Sequence, residues 1–383
     1  MSEIVANAKP AGLAARPPER RPAGFMLRNF VRLAIVAAVG AYYAAGTSSA
    51  NLFQLNSCML AAIGALALNL LMGTAGQPSL GSTAFLGLGG FGTVALLHAG
   101  LPFVPALVVV TLGACVGGLL LGLPSLRLRG VYLALATLGA FFFLSYVGNR
   151  YQNADAGPAG FVLGPLFGSA PDLVQQRYWL AVLFCLLAVT SVGLDLLSSG
   201  RIGRALRMIR DHEAAAPALG IPVTTYKLGA FVLYAALTAI VGSLGAPFVG
   251  NVSTDSYTLN GAIAYVAMIV IGGEDSISGA ILGAFIVTLL PTFVSSETTA
   301  VAGSTFSATY GPSVSEGIYG LAILVLVSAG RGGLAGLGRT VWRWARHRAL
   351  GRAAGFGGGR PVAKAPAGGS VAADEARAGR LRP

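Results

Sequence analysis

The sequence predicts an all-α polytopic membrane protein with about ten hydrophobic segments, some of them broken or re-entrant, and with both termini cytoplasmic. Three observations carry that prediction. Of 383 residues, 55% are hydrophobic and only 10% charged, with a mean hydropathy of +0.71, whereas a soluble domain carries roughly a quarter charged residues. No Asp, Glu, Lys or Arg occurs between Arg32 and Arg127, a run that holds several spans of about 20 residues. The apolar stretches are continuous and do not alternate in the manner of the ~10-residue strands of a membrane β-barrel.

Taken in order, apolar segments fall at 30–47, 51–73, 79–98, 104–123, 130–148, 178–197, 228–249, 260–273, 279–295 and 314–330, punctuated by Gly, Pro or charge. The first follows a polar, Arg- and Pro-containing stretch with no small-residue cleavage site, and reads as a retained span. Gly113 and Gly117 form a small-xxx-small pair suited to close helix packing. The segment at 260–273 is too short to span alone. Flanking the transmembrane domain, 30–337, are two tails, 1–29 and 338–383. Both are rich in Pro, Gly, Ala and Arg, lack apolar periodicity and are expected to be basic and largely disordered.

The net charge of +12 resides in the ends: +4 in residues 1–32, +9 in 331–383 and −1 between. Basic ends beside a membrane act as topology signals or bind anionic lipid, so nucleic acid is not the expected partner. The basic N-terminus, the RLR of 127–129, the 200–227 loop and the C-terminal tail all fall on the cytoplasmic side of an alternating path. The opposite side receives 149–177, 250–259 and 296–313, which carry Asp155, Asp172, Asp255 and Glu297 but only Arg150 and Arg177 as cations.

Catalytic chemistry is missing. There is no Gly-Lys dipeptide and hence no phosphate loop, no GxSxG, and no HExxH or CxxC beside His98, His212 and His347. Cys58, Cys115 and Cys185 sit in apolar segments and imply neither a disulfide framework nor a metal. No acidic residue marks the centre of a span, where a proton- or sodium-coupled carrier would place one. Asp195, near the cytoplasmic end of its segment, reads as solvated or Arg-paired. Any energy source is therefore external.

Two Gly-broken polar stretches interrupt the spans, GTAGQPSLG (73–81) and GGEDSISG (272–279). Non-helical backbone at membrane depth survives only where protein or a water-filled cavity satisfies it. Gly73, Gly76, Gln77, Ser79, Gly81, Gly272 and Gly273 are accordingly candidate substrate-pathway residues, with an ordinary surface turn as the other reading.

Charge returns at 200–227, GRIGRALRMIRDHEAAAPALGIPVTTYK. At 100° per residue Ile202, Leu206 and Ile209 share one helical face, and Arg201, Arg204, Arg207 and Arg210 spread over the other. Pro217 and Gly220 stop the helix. Such a helix docks its apolar stripe in a partner's groove or lies on anionic lipid.

The blocks LNLLMGTAGQPSLGSTAFLGLGGFGT (68–93), LRLRGVYLALATLG (126–139), 200–231, VSTDSYTLNGAIAYVAMIVIGG (252–273) and GIYGLAILVLVSAGRGGLAGL (317–337) resemble the LivM-type permeases of branched-chain amino-acid ABC importers, collinearly over about 50–337. The resemblance implies a non-enzymatic permease subunit of the inner membrane, with no cofactor of its own. Its implied partners are a LivH-like second permease, two cytoplasmic ATPases that bind the ATP, and a periplasmic amino-acid-binding protein. It also implies that the helix of 201–210 and the following Glu213, Ala214, Ala215 and Gly220 form the coupling element to the ATPase, with Gly220 one residue later than the family's common spacing. Pro217 and the Glu274-Asp275 pair depart from the family's pattern. Related permeases carry urea and short-chain amides, which stand as alternative substrates, and a lipid-binding membrane scaffold is an alternative of another class.

Overall fold

The computed structural model describes residues 48–126, 128, 130–168, 171–293, 317 and 320–321. The segment at 30–47, most of that at 314–330, the Glu297 loop and both tails lie outside the described residues. The chain divides after Leu337, and all described residues belong to the first unit.

Helix α1, Ser49–Asn69, runs into one π-helical turn, Leu70–Thr74. An irregular stretch then leads to α2, Ser82–His98, followed by α3, Phe103–Ser125, and α4, Val131–Asp155. Strand β1, Phe161–Val162, precedes α5, Asp172–Ser199, the amphipathic α6, Arg201–Asp211, and a short 3₁₀ turn, Pro217–Leu219. Helix α7, Val223–Val249, is followed by β2, Asn251–Val252, a second 3₁₀ turn, Thr254–Ser256, α8, Leu259–Gly272, and α9, Ile277–Phe293. Among the described residues, five helices are long and apolar enough to cross a membrane, and α2 and α9 are shorter apolar helices. The protein is an all-α, multi-pass integral membrane protein.

Every apolar segment expected between 51 and 295 is a helix. The one expected to end at 148 continues to Asp155, because Gln152 caps the turn beyond it, donating to the carbonyls of Gly157 and Pro158. One pairing is invisible to local periodicity: β1 and β2 join antiparallel, Phe161 opposite Val252. This short ladder ties the two loops that the charge pattern assigned to one side. Gln152 strengthens the tie by accepting from the Thr254 amide at 2.8 Å and the Thr254 hydroxyl at 2.7 Å.

Helices α1 and α7 form the centre; 78% of the apolar window of α1 is buried against 22% for α4, so α4 is peripheral. Helix α7 packs against α1, α2 and α3. Its crossing with α2 is backbone against backbone: a Cβ on Gly89 would strike the Ala239 carbonyl and one on Gly242 the Leu86 carbonyl, the close approach that small residues permit in lipid. Phe85, Phe231 and Tyr234 interlock edge to face beside it, with centroids 5.7 to 6.1 Å apart. The expected Gly113–Gly117 pairing is corrected by one residue. Nothing lies within 4 Å of a Cβ on Gly113, whereas Gly118 and Gly122 meet Ala235, Leu228 and Phe231 of α7. Ala114, Gly118 and Gly122 are buried at i, i+4 spacing, and Gly113 lies on the outer face.

Candidate functional site

Residues far apart in sequence meet at the end of the bundle where α1 stops and α7 starts, opposite the β1–β2 ladder. Helix α6 is laid against this end. Gly200, in extended conformation, caps its start, and Gly203 passes so close to the Ser198 backbone that a Cβ would collide with it. The turn from α5 into α6 therefore needs that glycine.

The apolar stripe of α6 faces inward. Leu206 is 1% exposed and Ile209 2%, and Leu206 belongs to the chain's main hydrophobic core. They are not free to enter a partner's groove, as the sequence reading expected of the stripe; Ile202 alone of the three is exposed. Most of the arginines are also turned onto this chain. Arg204 donates to the Ser199 carbonyl at 3.0 Å and Arg207 to the Ser198 carbonyl, placing cations on the negative end of α5. Arg207 Nε lies 3.3 Å from Asp275 Oδ2 and Arg210 Nη1 3.9 Å from it. Arg210 Nη1 also donates to the Gly73 carbonyl, and Arg210 Nε pairs with Asp211 at 3.0 Å.

The stretch 73–81 is largely buried in protein, with Gly76 exposed at its edge. The Arg210 side chain lies against Gly76, whose φ of +68° and lack of Cβ are both required. Gln77 is buried; its amide reaches the Leu71 carbonyl at 3.0 Å and its side chain donates to the Lys227 carbonyl at 3.2 Å. Ser79 Oγ accepts from Gly81 N at 3.3 Å, and Leu80 N donates to Thr137 Oγ1 at 3.0 Å. Gly73 packs against Asn69 and the Asp275 backbone. The break thus meets the requirement that irregular backbone at depth be satisfied by its own protein.

The 272–279 turn joins the same cluster. Asp275 holds the unusual φ of +60°; its amide donates to Asn69 Oδ1 at 3.2 Å, and its carboxylate accepts from Thr74 Oγ1 at 3.1 Å. Gly272 and Gly279 cross backbone to backbone where α8 folds onto α9. Asp275, singled out in the sequence only as a departure from pattern, is the point at which α1, α6 and the α8–α9 turn converge. Glu213, after α6, forms a 2.8 Å ion pair with Lys227 at the start of α7. Asp195 is 4% exposed, so of the two readings of its carboxylate, solvated or Arg-paired, the first does not hold. Outward the cluster presents Arg201, Ile202, Arg204, His212, Ala214, Ala215 and the 217–220 turn closed by left-handed Gly220, together with the exposed edges of Arg210, Asp211, Glu274 and Asp275.

A separate cleft of about 280 Å³ runs along α2 between Thr83 and Ala95, walled by α4 and by Thr254 and Tyr257. None of the seven candidate pathway residues lines it. Tyr257 seats its hydroxyl in the notch left by Gly90, and burial pushes its phenol well above the ordinary range, so it remains a neutral donor. No group of three or more His, Cys, Asp or Glu side chains placed to hold a metal exists among the described residues.

Residues 51–337 match the family described as "Branched-chain amino acid transport system / permease component". The chain belongs to this family. It is a family of transport permeases, not of enzymes, and LivM-type members are among the relatives. The chain is 32% identical over 247 residues to the high-affinity branched-chain amino acid transport system permease protein LivM of Escherichia coli (strain K12), covering 58% of each chain. It is 32% identical over 245 residues to the protein of the same name from Salmonella typhimurium, covering 57% of each. The matched stretch is thus little more than half the length of these curated relatives. No solved structure matches the chain.

Proposed function

We propose that the chain is a permease subunit of an ATP-binding-cassette importer in the inner membrane, moving branched-chain or related apolar amino acids inward. In this reading it stands beside a LivH-like second permease and receives substrate from a periplasmic binding protein. Two cytoplasmic ATPases bind the ATP and drive it, and the chain itself carries no cofactor.

The observation that supports the coupling is the attachment of α6. Its inner face is bonded to Gly73 and laid against Gly76, and through Asp275 it is tied to the α8–α9 turn. A push on its outer face therefore reaches the end of α1, the entry to α2 and the α8–α9 turn through contiguous packed groups. The ATPase-facing surface is the exposed one: Arg201, Ile202 and Arg204, then Ala214, Ala215 and the 217–220 turn. A helix resting on lipid would turn Leu206 and Ile209 outward, so their burial weighs against a lipid-surface role.

Leu219, 66% exposed, is the probe position. With Leu219→Cys in the assembled complex, a short bifunctional thiol reagent should join this chain to an ATPase subunit, and Leu219→Asp should leave the permease folded but abolish ATP-driven leucine uptake. A complex that transports normally with Leu219→Asp and yields no cross-link would exclude this surface as the coupling site. Uptake of urea instead of leucine would move the substrate to the amide branch.

A further inference from the structure

The π-helical turn that ends α1, Leu70–Thr74, is wound more loosely than the helix before it. The Ala75 amide reaches five residues back, to the Leu70 carbonyl, and the Gln77 amide six back, to that of Leu71; an α-helix reaches four. Turns of this kind occur frequently at functional sites. Among the described residues the Gly76 amide and the Met72 carbonyl make no backbone hydrogen bond beyond the helix, and the buried Oε1 of Gln77 has no partner. The Gly73 carbonyl, which the Gln77 amide would use in an α-helix, is taken by Arg210 Nη1 of α6. Two donors thus compete for one acceptor. An α form of the turn would pair Gly76 N–H with the Met72 carbonyl and Gln77 N–H with that of Gly73. Gly76, now at φ +68°, is the residue type that enters either backbone region. Pro78 has no N–H to continue the helix, so the change is confined to one turn. The π form is held from outside: by Arg210 on Gly73, by Thr74 Oγ1 donating to Asp275 Oδ1 at 3.1 Å and by the Gln77 side chain donating to the Lys227 carbonyl at 3.2 Å.

We propose that this turn is a two-position switch set by α6. Arg210 holds it in the π form; when α6 is drawn away, the turn tightens to the α form and the Gln77 amide replaces Arg210 on the Gly73 carbonyl. The tightening draws the chain after Gly76 toward α1 by about one residue's rise, roughly 1.5 Å, and takes the Gln77 side chain off the start of α7. An element with two discrete hydrogen-bond arrangements turns a small displacement of a neighbouring helix into a change between states. The proposal rests on the reading of α6 as the element that the ATPases move, and it names the part of the membrane domain that answers.

The test follows hydrogen exchange of the Gly76 amide, resolved by fragmentation mass spectrometry, in the complete complex in nanodiscs. Gly76 is exposed and its amide unbonded, so in the resting complex it should exchange at close to the unprotected rate. Trapping with ATP and vanadate should slow it at least tenfold. Arg210→Met keeps the aliphatic packing against Gly76 and removes the guanidinium, so the same slowing should appear without nucleotide, and leucine uptake should fall at least tenfold. A merely structural arginine gives the opposite result, with Gly76 exchanging as fast as in the wild type or faster, and that overturns the switch. If Arg210→Met yields no folded complex, unslowed exchange in the trapped wild type overturns it. Slowing in Arg210→Met without slowing on trapping supports the switch and refutes its drive by the ATPases, so the two failures are told apart.

Discussion

At the residue scale, Asp275 separates charge from conformation. Its backbone is left-handed, a region Asn tolerates and most residues avoid. Asp275→Asn therefore keeps the turn and the Thr74 contact but removes the charge facing Arg207 and Arg210. Because the pair is about one-third exposed, the loss in stability should be small, on the order of 1 kcal/mol or less. If Asp275 couples α6 to the α8–α9 turn, ATP-driven uptake should nevertheless fall several-fold at unchanged complex yield. Asp275→Gly relieves the backbone and also removes the carboxylate, so it should be at least as stable as Asp275→Asn and equally uncoupled. Comparing melting temperature with uptake in the two variants tells strain from charge; uptake at the wild-type level in both would remove Asp275 from the coupling path. Lys227 behaves differently, because its side chain is only 10% exposed and its partner Glu213 lies 2.8 Å away. Glu213→Ala strands a nearly buried ammonium and should cost about 1–3 kcal/mol, whereas Glu213→Ala combined with Lys227→Met should recover part of that loss. A double-mutant cycle on thermal unfolding in detergent measures the difference, and strict additivity would mean that the pair contributes nothing.

At the element scale, the two faces of α6 give opposite expectations. Leu206→Asp puts a charge into the chain's own core and should reduce the amount of folded permease, since burying an unpaired charge costs several kcal/mol. Ile202→Asp lies on the outer face and should leave the permease folded while weakening ATPase association. Size-exclusion profiles of the permease alone, followed by co-purification of the ATPase, distinguish folding from docking; if Ile202→Asp also fails to fold, the outer face is not free. The helix itself was legible in the sequence, because arginines every three residues and apolar residues at i, i+4, i+7 fix an amphipathic period. Which way it faced was not. An apolar stripe reads the same whether it covers its own bundle or a partner's groove, and only the placement of Gly73, Gly76 and Asp275 beneath it decides. The same limit explains Gly113 and Gly117. Helix α3 carries glycines at 113, 117, 118 and 122, so two stripes of small residues compete, and the position of α7 selects the inner one. Spans were legible because Gly, Pro and charge punctuate continuous apolar runs. The β1–β2 ladder and the cluster around Asp275 are contacts between distant parts of the chain and leave no local period to read.

At the scale of the whole molecule, the helices alternate between two ends with different chemistry. One end carries α6 and its arginines; the other carries the β1–β2 ladder, Asp155, Asp172 and Asp255. The outer helices suit hydrocarbon, with α3 and α4 turning Val104, Leu112, Leu120, Phe143 and Tyr146 outward. Positive charge stays on the cytoplasmic side during insertion, so the α6 end should face the cytoplasm and the ladder the opposite side. Val162 and Leu219 are the reporters: both are well exposed, at 77% and 66%, and they lie at opposite ends. Cys115 and Cys185 sit within spans and Cys58 is buried, so an impermeant thiol reagent should leave the native cysteines unlabelled. In whole cells with a permeabilised outer membrane, Val162→Cys should label at once. Leu219→Cys should label only after the inner membrane is opened. The reverse pattern would turn the molecule over and place α6 away from any cytoplasmic ATPase. Labelling of both positions in sealed cells would break the alternating path between α5 and α7, where α6 supplies the connection.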